Sequence, residues 1–167
     1  MYARVRELLT LEERIQYLQI PPDLSEWELG TYFTLTPHDL EIIQQRRRDH
    51  NRLGFAVQLC VLRYLGWTFS DVKEVSVHII RYLVKQIKAD PESFALYADR
   101  EATKYEHLVE IRREYGYRDF TSSEYRSLCK NLVPHAMANG NPLHLIRLAL
   151  EGQRKRKIIL PSMATIE

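Results

Sequence analysis

The chain has 167 residues, of which 45% are hydrophobic and 28% charged, with a net charge of +2. That composition excludes a disordered or fibrous chain, and the length suits one domain or two small ones packed together. No apolar run reaches the roughly 18–20 residues of a membrane span, the start MYARVRELLT lacks a signal-peptide core, and two cysteines exclude a disulfide framework.

In chain order, LEERIQYL follows Thr10 with Glu13 three residues on, the spacing of a reciprocal N-terminal cap, and predicts a helix over 10–19. Ser25 and Glu28 repeat the spacing ahead of a helix over 26–33. Thr36-Pro37, Asp90-Pro91 and Asn141-Pro142 each place a capping residue before a proline at the first helical position. They predict helices over 37–47, 91–98 and 142–156. Gly66 and Gly116 end long helical runs over 50–65 and 100–115 and suit the left-handed residue that closes a helix. Helices over 76–88 and over 122–138, the latter led by Thr121-Ser-Ser-Glu124, complete the list. No stretch alternates with period two between turn dipeptides, so no sheet is expected. Cys60 and Cys129 both lie in apolar helical patterns and read as buried small hydrophobes, which fits a reducing cytoplasm.

The chain resembles itself at an offset of fifty. DHNRLGFAVQLCVLRYLGW and DREATKYEHLVEIRREYGY are each Asp, sixteen residues, Gly, then an aromatic. Phe55 matches Tyr105, Leu59 Val109, Val61 Ile111 and Arg63 Arg113, and Phe69 or Phe120 follows. The alternative is chance similarity between helical hairpins. The expected fold is all-α, with two tandem three-helix, helix-turn-helix-like units at 36–88 and 89–140. A helical segment at 1–35 precedes them, and a C-terminal helix and linker at 141–167 follow.

Charge falls in blocks: −4 over 1–40, +5 over 41–88, −3 over 89–120 and +4 over 121–167. Such alternation implies faces rather than a uniformly basic molecule. The 50–65 helix is apolar nearly all round, so only its start, with Arg46, Arg47, Arg48, His50, Asn51 and Arg52, is polar. A helix N-terminus carries unbonded amides and the positive end of the dipole, and arginines there make an anion site. Asn51 and Arg52 also match adenine and guanine edges. The competing reading is a solvated arginine-rich corner. On the 76–88 helix, Arg81 and Lys85, with Lys88 and His78, line the side opposite Val77, Ile80, Leu83, Val84 and Ile87. Counterparts in the second unit are Arg100, Lys104, Arg118, Ser122, Ser123, Arg126 and Lys130. RKRK at 154–157 suits a helix C-terminus, as structure or as a non-specific phosphate contact. Neutralising about six phosphates predicts a salt slope near −5.

The histidines show no metal-ligand spacing, and no phosphate loop or nucleophile-elbow motif is present, so we expect no metal, no cofactor and no catalysis in this chain. The alternative to nucleic-acid binding is a protein-interaction module using Trp27, Tyr32, Phe33 and Trp67.

RRRDHNRLGFAVQLCVLRYLGW, with LTLEERIQYLQIPPD and YFTLTPHDLEII before it, resembles the N-terminal domain of the Tn-three family of bacterial replicative transposases. The resemblance continues through DREATKYEHLVEIRREYGYRDF and RKRKIILPSMATIE, nearly the whole chain. It implies a module at the front of a much larger transposase, cut after Pro161, that recognises double-stranded DNA at the transposon's terminal inverted repeats. It also implies self-association through the rest of that protein, and a catalytic domain with an acidic metal-binding triad in an RNase H-like fold far downstream. Leu65 and Ser76 stand where many relatives have proline, which bears on how the 76–88 helix is presented.

Overall fold

A computed structural model of the chain describes residues 8–68 and 75–167. Its helices are α1 (Leu11–Leu18), α2 (Glu26–Glu28, widening into a π-turn at Leu29–Phe33), α3 (Pro37–Gln44), α4 (Asp49–Leu65) and α5 (Val77–Ile87). A 3₁₀ turn (Pro91–Ser93) leads into α6 (Phe94–Ala98), followed by α7 (Glu101–Tyr115), α8 (Ser122–Ala138), α9 (Pro142–Lys155) and α10 (Met163–Ile166). The all-α expectation holds, with one addition. Arg118–Asp119 (β1) and Ile158–Ile159 (β2) form a two-residue parallel ladder, where no sheet was expected.

Local signals act as read. Thr10, Ser25 and Thr36 form complete reciprocal caps with Glu13, Glu28 and Asp39. Thr121 accepts from the Glu124 amide, but the Glu124 carboxylate turns away to Arg118 and Arg156. Ser76, at a position where proline was noted in relatives, caps α5 through its hydroxyl.

The centre of the molecule is α4. Twelve of its 17 residues are buried, and α3, α5, α6, α7 and the π-turn all pack on it. α6 and α7, assigned to 89–140, therefore pack on the same helix as α3 and α5, assigned to 36–88. Burial follows the internal repeat at Val61 and Ile111, both fully buried, but not at Phe55 and Tyr105, which are 0% and 68% exposed. The second copy of the pattern covers the first rather than enclosing a core of its own. Phe69, one of the matched positions, lies outside the described residues.

Three contacts close this architecture. The first is Gly54, against which the Tyr97 ring lies so closely that an added Cβ would come within 2.3 Å of ring carbons. Tyr97 has little room to yield. Gln58 Nε2 donates to its hydroxyl oxygen at 2.7 Å, and the hydroxyl meets His107 Nδ1 at 3.0 Å. Gly54→Ala is therefore expected to cost about 1–3 kcal/mol of unfolding free energy, read by urea denaturation. A neutral result would mean that α6 shifts freely on α4.

The second contact is the left-handed Gly66 (φ +83°), where the C-terminal segment seals the end of α4. The Leu160 amide donates to the Gly66 carbonyl at 2.9 Å, Trp67 Nε1 to the Pro161 carbonyl at 2.8 Å, and Arg154 to the Tyr64 carbonyl at 2.9 Å. The third joins the chain's two ends. Glu167 accepts from Arg14 and from the Leu9 amide at 2.5 and 2.8 Å.

Among the described residues, no helix is long and apolar enough to cross a membrane. Cys60 is fully buried, and burial pushes its thiol up to about 12. Cys129, expected to be buried, is exposed. Its helix packs chiefly on α9 and buries only Glu124, so α8 has no second wall to cover that face.

Candidate nucleic-acid interface

Two helices of the core begin at the surface without a side-chain cap. The N-cap of α4 is Arg48 and that of α7 is Arg100, and neither supplies a capping hydrogen bond. The first amides of both helices therefore keep their dipolar pull on anions. The first turn of α7 lies beside the middle of α4, where Gln58 Nε2 donates to the Lys104 carbonyl at 2.9 Å. His50, in the first turn of α4, is buried, and Arg100 and Arg48 both act on it electrostatically. Burial is the larger effect, and with the two guanidiniums it lowers the His50 pKa below the ordinary imidazole value; Asp49 opposes them weakly. His50 Nε2 is buried without a hydrogen-bond partner.

The acidic residues of these first turns are engaged elsewhere. Asp49 accepts from the Asp90 amide at 3.1 Å and lies 3.6 Å from Arg52, while Glu101 pairs with Lys104 at 2.5 Å. The Asp49–Asp90 contact also places the C-terminal end of α5 beside the start of α4. From there the exposed side of α5 carries Lys88, Lys85, Arg81 and His78, with Ile79, Ile80, Leu83 and Ile87 facing the core.

Several expected contacts take other roles. Arg46 is 9% exposed in its side chain. Its guanidinium stacks 3.6 Å above the Phe55 ring, pairs with Glu110 at 2.5 Å and donates to the Ile42 carbonyl. It clamps α7 to α3 and α4, because a planar cation that loses water is best compensated by a ring face and a carboxylate together. Asn51 has its amide oxygen buried and unpartnered, so it does not present the paired donor and acceptor that adenine requires. Arg52 donates to the Arg46 carbonyl at 2.7 Å and holds the turn before α4. Lys104 is 13% exposed in its side chain and bound to Glu101.

Arg47, Arg48, His78, Arg81, Lys85 and Arg100 remain exposed. Arg118 is exposed in β1, 3.5 Å from Glu124. Ser122, Ser123, Arg126 and Lys130 lie exposed on α8, a separate helix carried by α9. Of the RKRK group, Arg156 pairs with Glu124 at 2.8 Å and Lys157 donates to the Tyr115 carbonyl at 2.9 Å, so both tie the fold together.

Sequence reasoning missed a polar knot beneath this surface. Asp39, fully buried, receives both terminal nitrogens of Arg63 at 2.9 and 2.8 Å and the Tyr115 hydroxyl at 2.8 Å. The only signal for it was the capping spacing from Thr36, since Arg63 and Tyr115 lie 24 and 76 residues away. Of the aromatic residues of the interaction-module reading, Phe33 and Trp67 are core, while Trp27 is 69% exposed with its ring edge-on to Tyr32.

Fold and surface thus define an all-α domain that exposes arginines at two uncapped helix starts and a basic side on one amphipathic helix. Residues 8–167 match the family model described as Domain of unknown function (DUF4158), and the chain belongs to that family. It corresponds to the N-terminal region of Tn-three-family transposases. It is 51% identical over 99% of its length to the transposase for transposon Tn1546 of Enterococcus faecium. Identity is 38% over 97% of the chain to the transposase for transposon Tn501 of Pseudomonas aeruginosa, and 30% over 96% to that for transposon gamma-delta of Escherichia coli strain K12. The chain spans only 16% of the length of each of these relatives.

Proposed function

We propose that this chain is the sequence-specific DNA-binding region of a replicative transposase, and that it recognises the transposon's terminal inverted repeats. Catalysis of strand transfer belongs, in this reading, to the remaining length that the relatives possess. The observation that carries it is that two helices start without side-chain caps, each headed by an exposed arginine, and that the exposed side of α5 is basic. Backbone amides and arginines at helix ends position phosphates, while side chains projecting from a helix face read base edges. Arg47, Arg48 and Arg100 would hold the backbone. Arg81 and Lys85, or Ser122 and Arg126 on α8, would reach bases. Work in the bacterial cytoplasm, where the element's DNA lies, follows from this role.

The test is fluorescence-anisotropy binding to the terminal inverted repeat and to a scrambled duplex across a salt series. With about six phosphates neutralised, the slope of log affinity against log salt is expected near −5, a loss of roughly a thousandfold between 50 and 200 mM. Tighter binding to the repeat than to the scramble supports end recognition. A slope near zero at measurable affinity overturns the DNA reading.

A further inference from the structure

Helix α8 has 17 residues, as α4 has, yet it buries one of them where α4 buries twelve. Pro134 interrupts its backbone ladder, and among the described residues its packing partner is chiefly α9. Helices in folded proteins take most of their stability from the faces they pack. A long helix with a single wall is therefore incomplete.

The uncovered side of α8 carries a pattern. Tyr125, Cys129, Leu132 and Ala136 follow one another at spacings of four, three and four, which sets them in one row along the helix. That is the spacing at which two helices pack along a seam. Tyr125, Cys129 and Ala136 are exposed. Leu132, half-buried, lines a cleft of about 230 Å³ with Pro142, Leu145 and Ile146 of α9, and with Leu8 and Ile166. Small-molecule pockets run to about 300–1,000 Å³ and hold a few converging polar groups. This cleft is smaller, and Glu167 is the only polar residue in its lining among the described residues. Its size and chemistry suit one large apolar side chain, as anchor pockets at protein interfaces do.

We propose that the row on α8 and the adjoining cleft seat a helix from the polypeptide that follows residue 167 in the transposase, with one apolar side chain of that helix entering the cleft. This rests on the reading of the chain as the front of a longer transposase, of whose relatives it spans only 16%. The occupant follows from position. Ile166 and Glu167 line the cleft, and Glu167 is held there by Arg14 and by the Leu9 amide at 2.8 Å. Polypeptide continuing from that fixed point meets the seat at an effective concentration of the order of millimolar. A separate partner or a second copy would have to compete with it from solution.

Cys129 reports on the row because it is exposed within it, and the fully buried Cys60 serves as a control for an intact core. The experiment compares iodoacetamide alkylation of both thiols, read by mass spectrometry, in the 167-residue chain and in the whole transposase without DNA. Cys129 is expected to react readily in the chain and at least about tenfold more slowly in the transposase, with Cys60 unreactive in both. Ala136→Arg places a charge in the row at an exposed position, where the fold of the chain itself tolerates it. In the transposase this variant is expected to return Cys129 to near its rate in the chain. Equal reactivity in chain and transposase, or protection that survives Ala136→Arg, overturns the seat. Protection that fades on dilution also overturns it and assigns the row to a second copy. None of these results bears on the salt-series test of DNA binding, so the two readings fail separately.

Discussion

Asp39→Ala is expected to lower the unfolding free energy by about 3–5 kcal/mol, because it leaves the Arg63 guanidinium inside the fold without its carboxylate. The Asp39 carboxylate joins three helices: it completes the cap of α3, takes both Arg63 bonds from α4 and the Tyr115 hydroxyl from α7. Urea denaturation monitored by tryptophan fluorescence reads the loss, and Tyr115→Phe should cost far less, about 1 kcal/mol, since the carboxylate keeps its ion pair. Equal small losses would show that the knot is dispensable. Burial alone would raise the Asp39 pKa, but the Arg63 bonds, the Thr36 amide and the Tyr115 hydroxyl overcome it and hold the group at about 2, against an ordinary 3.8. Its stabilisation is therefore complete above about pH 4 and lost as the pH falls through 2. His107 moves the same way for a different reason: burial first, then Arg46, lowers it to about 4. Its contribution is present above about pH 6.5 and lost as the pH falls towards 4, so acid destabilisation starts before the carboxylates titrate.

Reversing both helix-end charges, Arg48→Glu with Arg100→Glu, is expected to weaken DNA binding by about a hundredfold or more at moderate salt and to flatten the salt slope by about 2. The fold should tolerate the change. A carboxylate at a helix N-terminus interacts favourably with the dipole, by about 0.3–1 kcal/mol, so the melting temperature should hold or rise slightly. Arg46→Ala provides the contrast. That side chain is nearly buried against Phe55 and Glu110, so its loss should destabilise the fold and leave the salt slope unchanged. Undiminished binding by the double reversal would move the interface away from α4 and α7, with the exposed Arg126 and Lys130 of α8 the next positions to vary.

Arginines 46, 47 and 48 make the general point. They are chemically identical neighbours in the chain, yet the first stacks on a ring in the interior while the other two face solvent. Sequence reasoning treated them as one group, because the helical spacing that would separate them is broken at the end of α3. The same holds for Asn51 and Lys104, whose partners or burial depend on helices packed from elsewhere.

By itself, the amino-acid sequence determined the helical class, the caps at Thr10, Ser25 and Thr36, the proline starts and the left-handed ends at Gly66 and Gly116. These rest on interactions within about four residues, whose energetics are carried by the local residues alone. It also determined the basic face of α5, through helical periodicity. Only the tertiary structure decided that α7, the second half of the internal repeat, packs on α4, the first, and that Tyr97 closes on Gly54. It also decided that Asp39 gathers Arg63 and Tyr115, and that β1 pairs with β2. Those contacts join residues tens of positions apart, and chain topology, not local preference, sets which side chains they bring together.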